Sequence, residues 1–561
     1  MPGHAQLFEG MQSAALDEVY KQMRPLHFDP HAVICREGEP GGSLFLIERG
    51  LAQVLIGNEV PVGRLRRGEV IGEMSLIAAT PRSATVVALV PTDVLELRQD
   101  AFGALVAHHP TILVNLGRVL SDRLARQNRF ALKQSRGEAV VLVTNDRLRA
   151  LVDEMVAATK TASPRSVAVQ DLGTSVSGGP GASPSTEGIL AILDDLLGAH
   201  GTAVVLASTE QEDLPLILEH MDRIVVVAEA TDRLTGRLGP AAGRAELVLV
   251  GGERHGGPQT VQGLKVVRAI DRNESRRDVA WVGRHLARTK LGLALGAGGA
   301  KGYAHLAVLQ VLEEAGYTVD YVAGSSIGAL VGAWLAQGMN AAEMDATMRG
   351  AFTPERVAAM FKLSLAGTST GLDVHTQVCK ETTRERSFAD LDIPLLAMAV
   401  DLDSREPVVL REGPVWQALL ASTALAGMFP PQVSSGRRLV DGLALVPVPV
   451  GAVADAGADV TVSVNLIGKE TLPMWPGEPP PPPPRARKGS RMLDTLLEVM
   501  DVAQMDSSVR HAALADVVIT PRFGPSTWRD FHLAQQFFAA GRAAAEQQLP
   551  SLRALASPQG T

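Results

Sequence analysis

Two glycine-framed segments, Gly296-Ala-Gly-Gly-Ala-Lys-Gly302 and Gly324-Ser-Ser-Ile-Gly328, lie in the C-terminal half of this 561-residue chain. Each follows a short apolar run that favours a β-strand and precedes a run that favours a helix. The second segment therefore predicts a sharp strand-to-helix turn that exposes Ser326 at a helix N-terminus. Such a serine is typical of a nucleophile that attacks an ester carbonyl. The alternative is a chance G-x-S-x-G match in a chain with 54 glycines.

The first segment fits an oxyanion-binding loop better than a nucleotide-binding loop. A P-loop requires a hydroxyl residue after its lysine, but Gly302 follows Lys301 here. A dinucleotide fingerprint requires a third glycine at the position that Lys301 occupies. Consecutive amides at Gly298 and Gly299 predict an anion-binding nest that suits a tetrahedral oxyanion. Lys301 either adds its charge to this loop or caps nearby carbonyls.

The base that activates Ser326 has more than one candidate. Leu439-Val-Asp-Gly442 predicts a strand that ends in an acidic residue, and a buried Asp441 could accept the serine proton directly. An isolated Asp-Gly pair is also typical of a simple turn. A histidine is the usual alternative, and His305 and His375 lie in this half of the chain. We interpret His305 as a partly buried residue on a helix face.

These three motifs, preceded by ALLASTALAGMFPP (418–431), resemble the patatin-like phospholipase family in order and spacing, over about residues 290–545. The resemblance implies a three-layer α/β/α fold with a catalytic dyad of Ser326 and Asp441. It also implies an oxyanion hole made by the loop that contains Gly296, Ala297, Gly298 and Gly299, with Lys301 beside it. The chain departs from the family pattern at Ala297, Leu443 and Ala426. None of these departures removes a required chemical group.

The N-terminal part predicts a small β-barrel or β-roll with helices, because short β-like runs alternate with turn signals over residues 30–98. Within it, GEVIGEMSLIAATPRSATV (68–86) places a short helix start and Arg82 where they could cradle a phosphate. By composition alone, Arg82 would be an ordinary surface cation.

This block resembles the cyclic nucleotide-binding domain family over about residues 8–130. The resemblance implies that Gly72 and Glu73 contact the ribose and that Arg82 and Ser83 contact the cyclic phosphate. It predicts cAMP or cGMP as a regulatory ligand. Ser83 leaves the choice of base open, with a lean towards cAMP.

Between these blocks, residues 137–285 predict an α/β spacer with a parallel sheet, because five short apolar strands alternate with helical segments. Its loop at 173–185 lacks a P-loop lysine. A helix from Ile112 to about Arg136 precedes the spacer, with a basic stripe at Arg123, Arg126, Arg129, Lys133 and Arg136. The stripe is either a solvated face or a surface that attracts anionic lipid headgroups.

The order of sensor, spacer and hydrolase resembles the bacterial relatives of neuropathy target esterase. That resemblance implies lysophospholipase activity on membrane-derived lipids, with a phospholipid or lysophospholipid as substrate. We expect three domains, at residues 8–136, 137–285 and 290–550. We expect the C-terminal helix (531–548) to pack on the hydrolase. The proline run at 479–484 predicts either a stiff loop or a lid that faces a membrane or partner.

Composition fits a soluble multidomain protein, and we expect a cytoplasmic location with peripheral contact to the membrane. The 53 basic and 61 acidic side chains give a net charge of −8, which argues against a nucleic-acid partner. No apolar run approaches the roughly 18 residues of a transmembrane helix, and the start lacks a signal-peptide apolar region. Cys35 and Cys379 are far apart, so a disulfide framework is not expected. We see no metal-ligand cluster and expect no cofactor for catalysis.

The sequence thus predicts a serine lipid acyl hydrolase that a cyclic nucleotide regulates. One alternative is a scaffold in which nucleotide binding moves a catalytically idle patatin domain to a membrane or partner. Another is a broad esterase with a vestigial sensor. The acyl chain, the headgroup and the oligomeric state are left open.

Overall fold

The computed structural model describes residues 8, 11, 13–29, 32–49, 51–56, 60–66, 69–78, 80–88, 91–109, 111–113, 115–117, 138–172, 186–199, 201–252, 260–271, 275–360, 371–426, 428–467, 504–524 and 526–558. The chain divides into two compact units, Met1–Ser135 and Arg136–Thr561. The basic stripe after Leu116, the loop at 173–185 and the proline run at 479–484 lie outside the described residues.

The first unit is a β-roll with helices. Its described strands are β1 (Arg24–Phe28), β2 (Val33–Cys35), β3 (Ser43–Arg49), β4 (Leu51–Ile56), β5 (Val60–Arg66), β6 (Val70–Ile71), β7 (Thr85–Ala88) and β8 (Thr92–Arg98). Its helices include α1 (Ser13–Lys21), α2 (Glu73–Ala78) and α3 (Gln99–His108). Among the described residues, the strands form two four-stranded antiparallel sheets with the orders β1-β8-β3-β6 and β2-β7-β4-β5.

Strand β3 is covered on both faces, which explains its continuous apolar run. Leu44 and Leu46 pack in a cluster with residues of α1 and α3. Phe45 and Ile47 point the other way, into a cluster with the second sheet. This alternation follows the period of two in a strand. The predicted β-roll is therefore confirmed.

The second unit begins with the spacer. Its described strands are β9 (Glu138–Thr144), β10 (Val167–Asp171), β11 (Thr202–Ser208), β12 (Arg223–Glu229), β13 (Ala245–Val250), β14 (Thr260–Val261) and β15 (Leu264–Ile270). Its helices include α4 (Arg149–Ala162), α5 (Thr186–Ala199), α6 (Leu214–Glu219), α7 (Thr235–Leu238) and α8 (Ser275–Ala287). Within the described ranges the strand order is β10-β11-β9-β12-β13-β15-β14, and only the β14–β15 pair is antiparallel.

The predicted parallel sheet of the spacer is confirmed, but it extends beyond the five strands that the pattern indicates. Strand β15 pairs in parallel with β13 and carries β14 as a hairpin. Its apolar run is interrupted by Lys265 and Arg268, so the sequence gives a weaker strand signal there.

The hydrolase follows. Its described strands are β16 (Leu291–Leu295), β17 (Val319–Ser325), β18 (Leu395–Asp401), β19 (Glu406–Leu410), β20 (Gln432–Ser434), β21 (Arg437–Asp441), β22 (Val460–Val464) and β23 (Val517–Ile519). Its helices include α9 (Tyr303–Glu314), α10 (Ile327–Ala336), α11 (Ala341–Ala351), α12 (Pro354–Met360), α13 (Leu372–Thr383), α14 (Val415–Ser422), α15 (Val450–Asp455) and α16 (Ala534–Arg553). In the described part, the order is β20-β21-β18-β17-β16-β22-β23, with β19 also paired to β18.

The centre of this sheet is parallel and is covered by helices on both faces. Leu293 and Leu295 of β16 pack in the cluster that contains residues of α9 and α10, whereas Ala294 packs in the cluster that contains residues of α15. The predicted three-layer α/β/α arrangement is therefore confirmed. Leu295 pairs with Gly324 at the carboxyl ends of β16 and β17. This register brings the loop after β16 next to the turn after β17, at the edge where parallel sheets place their sites.

The spacer and the hydrolase meet through buried charged groups. Arg284 of α8 binds Asp320 of β17 with a shortest N–O distance of 2.7 Å, and their side chains are 7% and 1% exposed. Asp320 also accepts a hydrogen bond from the Leu291 amide at 2.9 Å. Nearby, Arg288 forms a bidentate pair with Glu138, at 2.9 and 3.2 Å. These contacts join the start of the spacer sheet to the first two strands of the hydrolase.

The C-terminal helix α16 packs on the hydrolase, as predicted, and begins at Ala534. It crosses α9 where Gly541 lies against the backbone of Ala304. Tyr317 donates a hydrogen bond to the Ala556 carbonyl at 3.2 Å and so ties down the residues that follow the helix. None of the helices in the described part of the chain combines the length and hydrophobicity needed to span a bilayer.

Candidate active site

Ser326 lies between the end of β17 and the first residue of α10. Its backbone has φ 55° and ψ −123°, a strained conformation for a residue with a side chain. A Cβ on Gly328 would collide with the Leu295 carbonyl, so only glycine lets the helix start this close to β16. Ser326 is half-buried although the residues on either side of it are buried. The turn therefore presents one hydroxyl at the edge of the sheet, as a nucleophile elbow does.

Asp441 is brought to Ser326 by the antiparallel edge of the sheet. It ends β21 and pairs with Ala399 of β18, the strand next to β17. Its Oδ2 accepts a hydrogen bond from Ser326 Oγ at 2.7 Å, and its Oδ1 accepts one from the Leu443 amide at 2.8 Å. These two bonds orient the carboxylate towards the serine. The structure thus brings together the two residues predicted as a dyad.

The Asp441 carboxyl is almost completely shielded from water, at 3% exposed. Burial raises its pKa from 3.8 to about 7, and the hydrogen bonds from Ser326 and Leu443 oppose this shift only in part. A carboxylate with this pKa is a far stronger base than an exposed aspartate. It is therefore suited to accept the proton of a serine hydroxyl near neutral pH.

This raised pKa predicts an unusually high acid limb for ester hydrolysis. Protonated Asp441 cannot accept the serine proton, so kcat/KM should fall about tenfold per pH unit below about pH 7. The measurement is kcat/KM between pH 5 and 9 on an uncharged soluble ester. A profile that stays flat down to pH 5 would contradict an essential Asp441 base.

Fewer amides of the oxyanion loop can bind an oxyanion than the resemblance implies. The Gly296 amide donates to the Val464 carbonyl and the Ala297 amide donates to the Pro447 carbonyl, each at 3.0 Å. These two N–H groups are therefore already used, and the predicted donor role of Gly296 and Ala297 is corrected. The amides of Gly298 and Gly299 make no hydrogen bond with any described residue.

Gly299 adopts φ 56°, and a Cβ there would collide with the Trp528 carbonyl oxygen. The Ala300 amide donates to this same carbonyl at 2.7 Å, so the backbone at Trp528 supports the loop. The Lys301 ammonium lies over the Phe523 ring, 5.2 Å from its centroid. This contact ties Lys301 to the residues that precede Trp528.

The structure also indicates a donor that the sequence pattern did not reveal. Ile327 is the first residue of α10 and directly follows the nucleophile, and its amide has no partner within the described residues. The first N–H groups of a helix lack intrahelical acceptors, and the amide after the nucleophile serves as an oxyanion donor in other serine hydrolases. The sequence indicates this donor only through the nucleophile motif, in which Ile327 directly follows Ser326.

His305 is not a base but a support for the oxyanion loop. It is completely buried, which corrects the interpretation as partly buried, and burial lowers its pKa to about 4. Its Nε2 lies 2.7 Å from the Gly296 carbonyl oxygen, and because a carbonyl only accepts, Nε2 is the donor. The ring therefore fixes the peptide plane from which the loop continues to Gly298.

We expect His305→Leu to lower kcat by about 10- to 100-fold with little change in KM. The displaced loop amides would bind the oxyanion of the transition state less well, whereas binding of the substrate does not depend on them. His305→Gln should recover part of kcat, since its amide can donate to the same carbonyl. Steady-state kinetics of the two variants tests this. Equal losses in both, or a change confined to KM, would contradict a role in positioning the loop.

His375 is likewise buried, and burial lowers its pKa to about 4. Its Nε2 lies 2.6 Å from Thr423 Oγ1, which itself donates to the Leu419 carbonyl at 2.6 Å. The ring also stacks on Phe429, with centroids 4.7 Å apart. His375 thus holds the segment whose Ala424 carbonyl accepts from the Asp441 amide at 3.1 Å. His375 therefore supports the position of Asp441 and does not itself act as the base.

In the first unit, Arg82 is buried beside the start of α2. Its guanidinium donates to the Gly72 carbonyl at 3.1 Å and to Ser43 Oγ at 3.3 Å. Glu73 is also buried, whereas Ser83 is exposed. The structure therefore brings Gly72 and Arg82 into contact and places Glu73, next to Gly72, as the first residue of α2.

Comparison with known proteins agrees with this division of the chain. Residues 293–454 match the patatin-like phospholipase family, and residues 25–109 match the cyclic nucleotide-binding domain family. The second unit therefore contains a patatin-like phospholipase domain, and the first is a cyclic nucleotide-binding domain, as the motifs predict. The chain is similar to proteins that are named as members of the NTE family.

Three relatives illustrate this relationship. An uncharacterized NTE family protein of Mycobacterium tuberculosis (strain H37Rv) is 35% identical over 192 residues, which cover 34% of this chain and 52% of the relative. A second such protein from that strain is 24% identical over 572 residues, which cover 93% of this chain and 91% of the relative. Lysophospholipase nte1 of Aspergillus fumigatus is 24% identical over 539 residues, which cover 77% of this chain and 35% of the relative. The chain thus spans about half the length of the first relative.

Proposed function

We propose that this protein is a serine lipid acyl hydrolase that removes the acyl chain of lysophospholipids. The observation that carries the proposal is the 2.7 Å hydrogen bond from Ser326 Oγ to a buried Asp441, on a strained turn beside two unbonded glycine amides. A patatin-like phospholipase match over residues 293–454 supports the reaction class. The name of the Aspergillus relative, a lysophospholipase, supports the substrate class.

In the first half-reaction, Ser326 Oγ attacks the acyl carbonyl while Asp441 Oδ2 takes the hydroxyl proton. The negative charge that forms on the carbonyl oxygen is stabilised by the amides of Gly298 and Gly299, with Ile327 as a third donor. The Leu443 amide holds the other carboxyl oxygen of Asp441 and keeps Oδ2 directed at the serine. The tetrahedral intermediate then expels the glycerol oxygen, which takes the proton from Asp441.

In the second half-reaction, a water molecule replaces the leaving alcohol. Asp441 accepts a proton from this water as it attacks the acyl carbonyl of the serine ester. The same amides stabilise the second oxyanion, and its collapse returns the proton to Ser326 Oγ and releases the fatty acid. In each half-reaction Asp441 acts first as the base and then as the acid, as a two-residue dyad requires.

The regulatory part of the proposal is that cyclic nucleotide binding to the first unit changes the rate of this hydrolysis. The match of residues 25–109 to the cyclic nucleotide-binding domain family supports a cyclic nucleotide as ligand. We propose Gly72 and Glu73 for the ribose, Arg82 and Ser83 for the cyclic phosphate, and cAMP ahead of cGMP. We also propose that the enzyme acts from the aqueous phase on membrane surfaces, because its substrate lies there.

The test is release of fatty acid from a lysophospholipid and from the monoacylglycerol of the same chain length, with and without cAMP or cGMP. Release from both substrates supports the lipid acyl hydrolase. A nucleotide effect that Arg82→Gln abolishes supports regulation through the proposed site, because Arg82 is the buried cation there. Release without any nucleotide effect would leave an uncoupled hydrolase. No release from either substrate, or from a diacyl phospholipid, would favour the idle scaffold.

A further inference from the structure

A cavity of about 470 Å³ lies behind the oxyanion loop and is not used by the mechanism above. Its wall includes Tyr303, Arg349 and the stacked pair of Phe352 and Phe531. The first turn of α16 completes it. Tyr303 immediately follows Gly302, which packs against Ile327, the residue after the nucleophile. One wall of the cavity thus directly follows the oxyanion loop along the chain, and the cavity is large enough for a small organic ion.

The first turn of α16 offers this cavity unused backbone donors. The helix has 20 residues, and its N-cap position is Leu533, whose side chain cannot accept a hydrogen bond. Ala534, Gln535 and Gln536, the first three residues of the helix, line the cavity. The first amides of a helix lack intrahelical acceptors and carry the positive end of the helix dipole. Such a terminus favours an anion.

Tyr303 supplies independent evidence for a ligand. The residue is only 3% exposed, yet its hydroxyl makes no hydrogen bond with the residues that the structure describes. The hydroxyl is not one of the enclosed polar atoms that lack a partner, so it is a polar atom open to solvent on an otherwise buried side chain. Since Tyr303 lines the cavity, a ligand there is placed to supply the missing partner.

Arg349 adds a cation that is already held in place. Its Nε donates to Asp345 Oδ2 at 2.7 Å, and its guanidinium lies over the Tyr303 ring, 5.7 Å from the centroid. Its terminal nitrogens make no hydrogen bond with any described residue. Asp345 offsets the positive charge of Arg349, so the net positive charge at the cavity is the modest partial charge of the helix terminus. That balance suits a singly charged phosphodiester better than a more highly charged anion.

We propose that this cavity binds a phosphate group, through the first amides of α16, the Arg349 guanidinium and the Tyr303 hydroxyl. The phosphate has two possible sources, the headgroup of a lysophospholipid substrate or a small phosphate ester in solution. The first source rests on the proposed lipid acyl hydrolase function. The second does not.

The binding test uses the full chain carrying Ser326→Ala, so that no substrate is turned over. Thermal unfolding is followed with inorganic phosphate and with sn-glycero-3-phosphocholine. We expect at least one of them to raise the unfolding temperature, with Tyr303→Phe weakening the apparent Kd about 5- to 10-fold and Arg349→Gln about 10- to 100-fold. Tyr303→Phe removes only an unbonded hydroxyl, so its fold should be intact.

Tyr317→Phe is the matched control, because it removes a buried hydroxyl that bonds to Ala556 far from the cavity. It should lower the unfolding temperature slightly without changing either Kd. If neither phosphate compound binds, or if both cavity variants bind as well as the parent, the proposal is wrong. This arm requires no enzymatic activity, so it stands even if the proposed hydrolysis fails.

The two sources are separated by kinetics of the protein with Ser326 present. For a headgroup subsite, Tyr303→Phe should lower the ratio of kcat/KM on lysophospholipid to kcat/KM on the matching monoacylglycerol about 5- to 10-fold. Glycerophosphocholine should then compete with the lysophospholipid. An unchanged ratio together with weakened phosphate binding would assign the cavity to a soluble phosphate ester.

Discussion

Replacing Ser326 by alanine is expected to lower kcat for ester hydrolysis by roughly 10⁴-fold or more, while the protein stays folded. The substitution removes the only atom that can form the acyl-enzyme in the proposed mechanism. Within the described part of the chain, Ser326 Oγ bonds to Asp441 Oδ2 alone, so the substitution leaves no donor without an acceptor. The measurement is single-turnover fatty-acid release with matched circular dichroism spectra.

Asp441→Asn should cause a loss of similar size, because an amide in the same position cannot accept the serine proton. The double variant should be little worse than either single variant, since the two residues act as one unit. Ser325→Ala is the control. Ser325 directly precedes the nucleophile, and its buried hydroxyl has no partner among the described residues. Full activity of Ser326→Ala, or additive losses in the double variant, would refute the dyad.

Arg284→Met is expected to destabilise the second unit by about 3–5 kcal/mol, because it strands a buried charge. Asp320 is 1% exposed at its side chain and would retain only the Leu291 amide as a described donor. Burying a carboxylate without its cation is much more costly than losing an exposed ion pair. The free energy of unfolding from urea titration is the quantity to measure.

Arg542→Met provides the matched comparison. Arg542 also forms a bidentate pair, with Glu314, but these two side chains are 39% and 46% exposed. Its loss should cost much less stability than the loss of Arg284, because solvent screens an exposed pair. Adding Asp320→Asn to Arg284→Met should restore part of the stability by removing the stranded charge. If the Arg284 and Arg542 variants lose equal stability, the buried pair has no special energetic role.

Local signals in the sequence were sufficient to predict the nucleophile. Strand, sharp turn and helix are encoded within a dozen residues around Ser326, and glycines at fixed offsets leave few alternatives for the backbone. Asp441 is different, because Asp-Gly alone is typical of any turn. Its assignment depended on the resemblance of three motifs in order, and the sheet register then accounts for how it reaches Ser326.

Non-local pairing explains what the sequence could not predict. Gly296 and Ala297 were expected as oxyanion donors, but their amides bond to the carbonyls of Val464 and Pro447, which are 168 and 150 residues further along the chain. No local pattern reveals which distant strand will approach a loop. His305 lies on a helix face as predicted, but its complete burial was not predicted, because its partner is a backbone carbonyl that no side-chain pattern reveals. Strand β15 was missed because charged residues interrupt its apolar run.

The charged contact between spacer and hydrolase has a consequence for how this chain can evolve. Because Arg284 and Asp320 each require the other, a substitution at one position should favour a compensating change at the second, and the same holds for Glu138 and Arg288. Recombination that joined a foreign spacer to this hydrolase would have to match both pairs at once. We therefore expect the two segments to be inherited together, with covariation concentrated at these four positions.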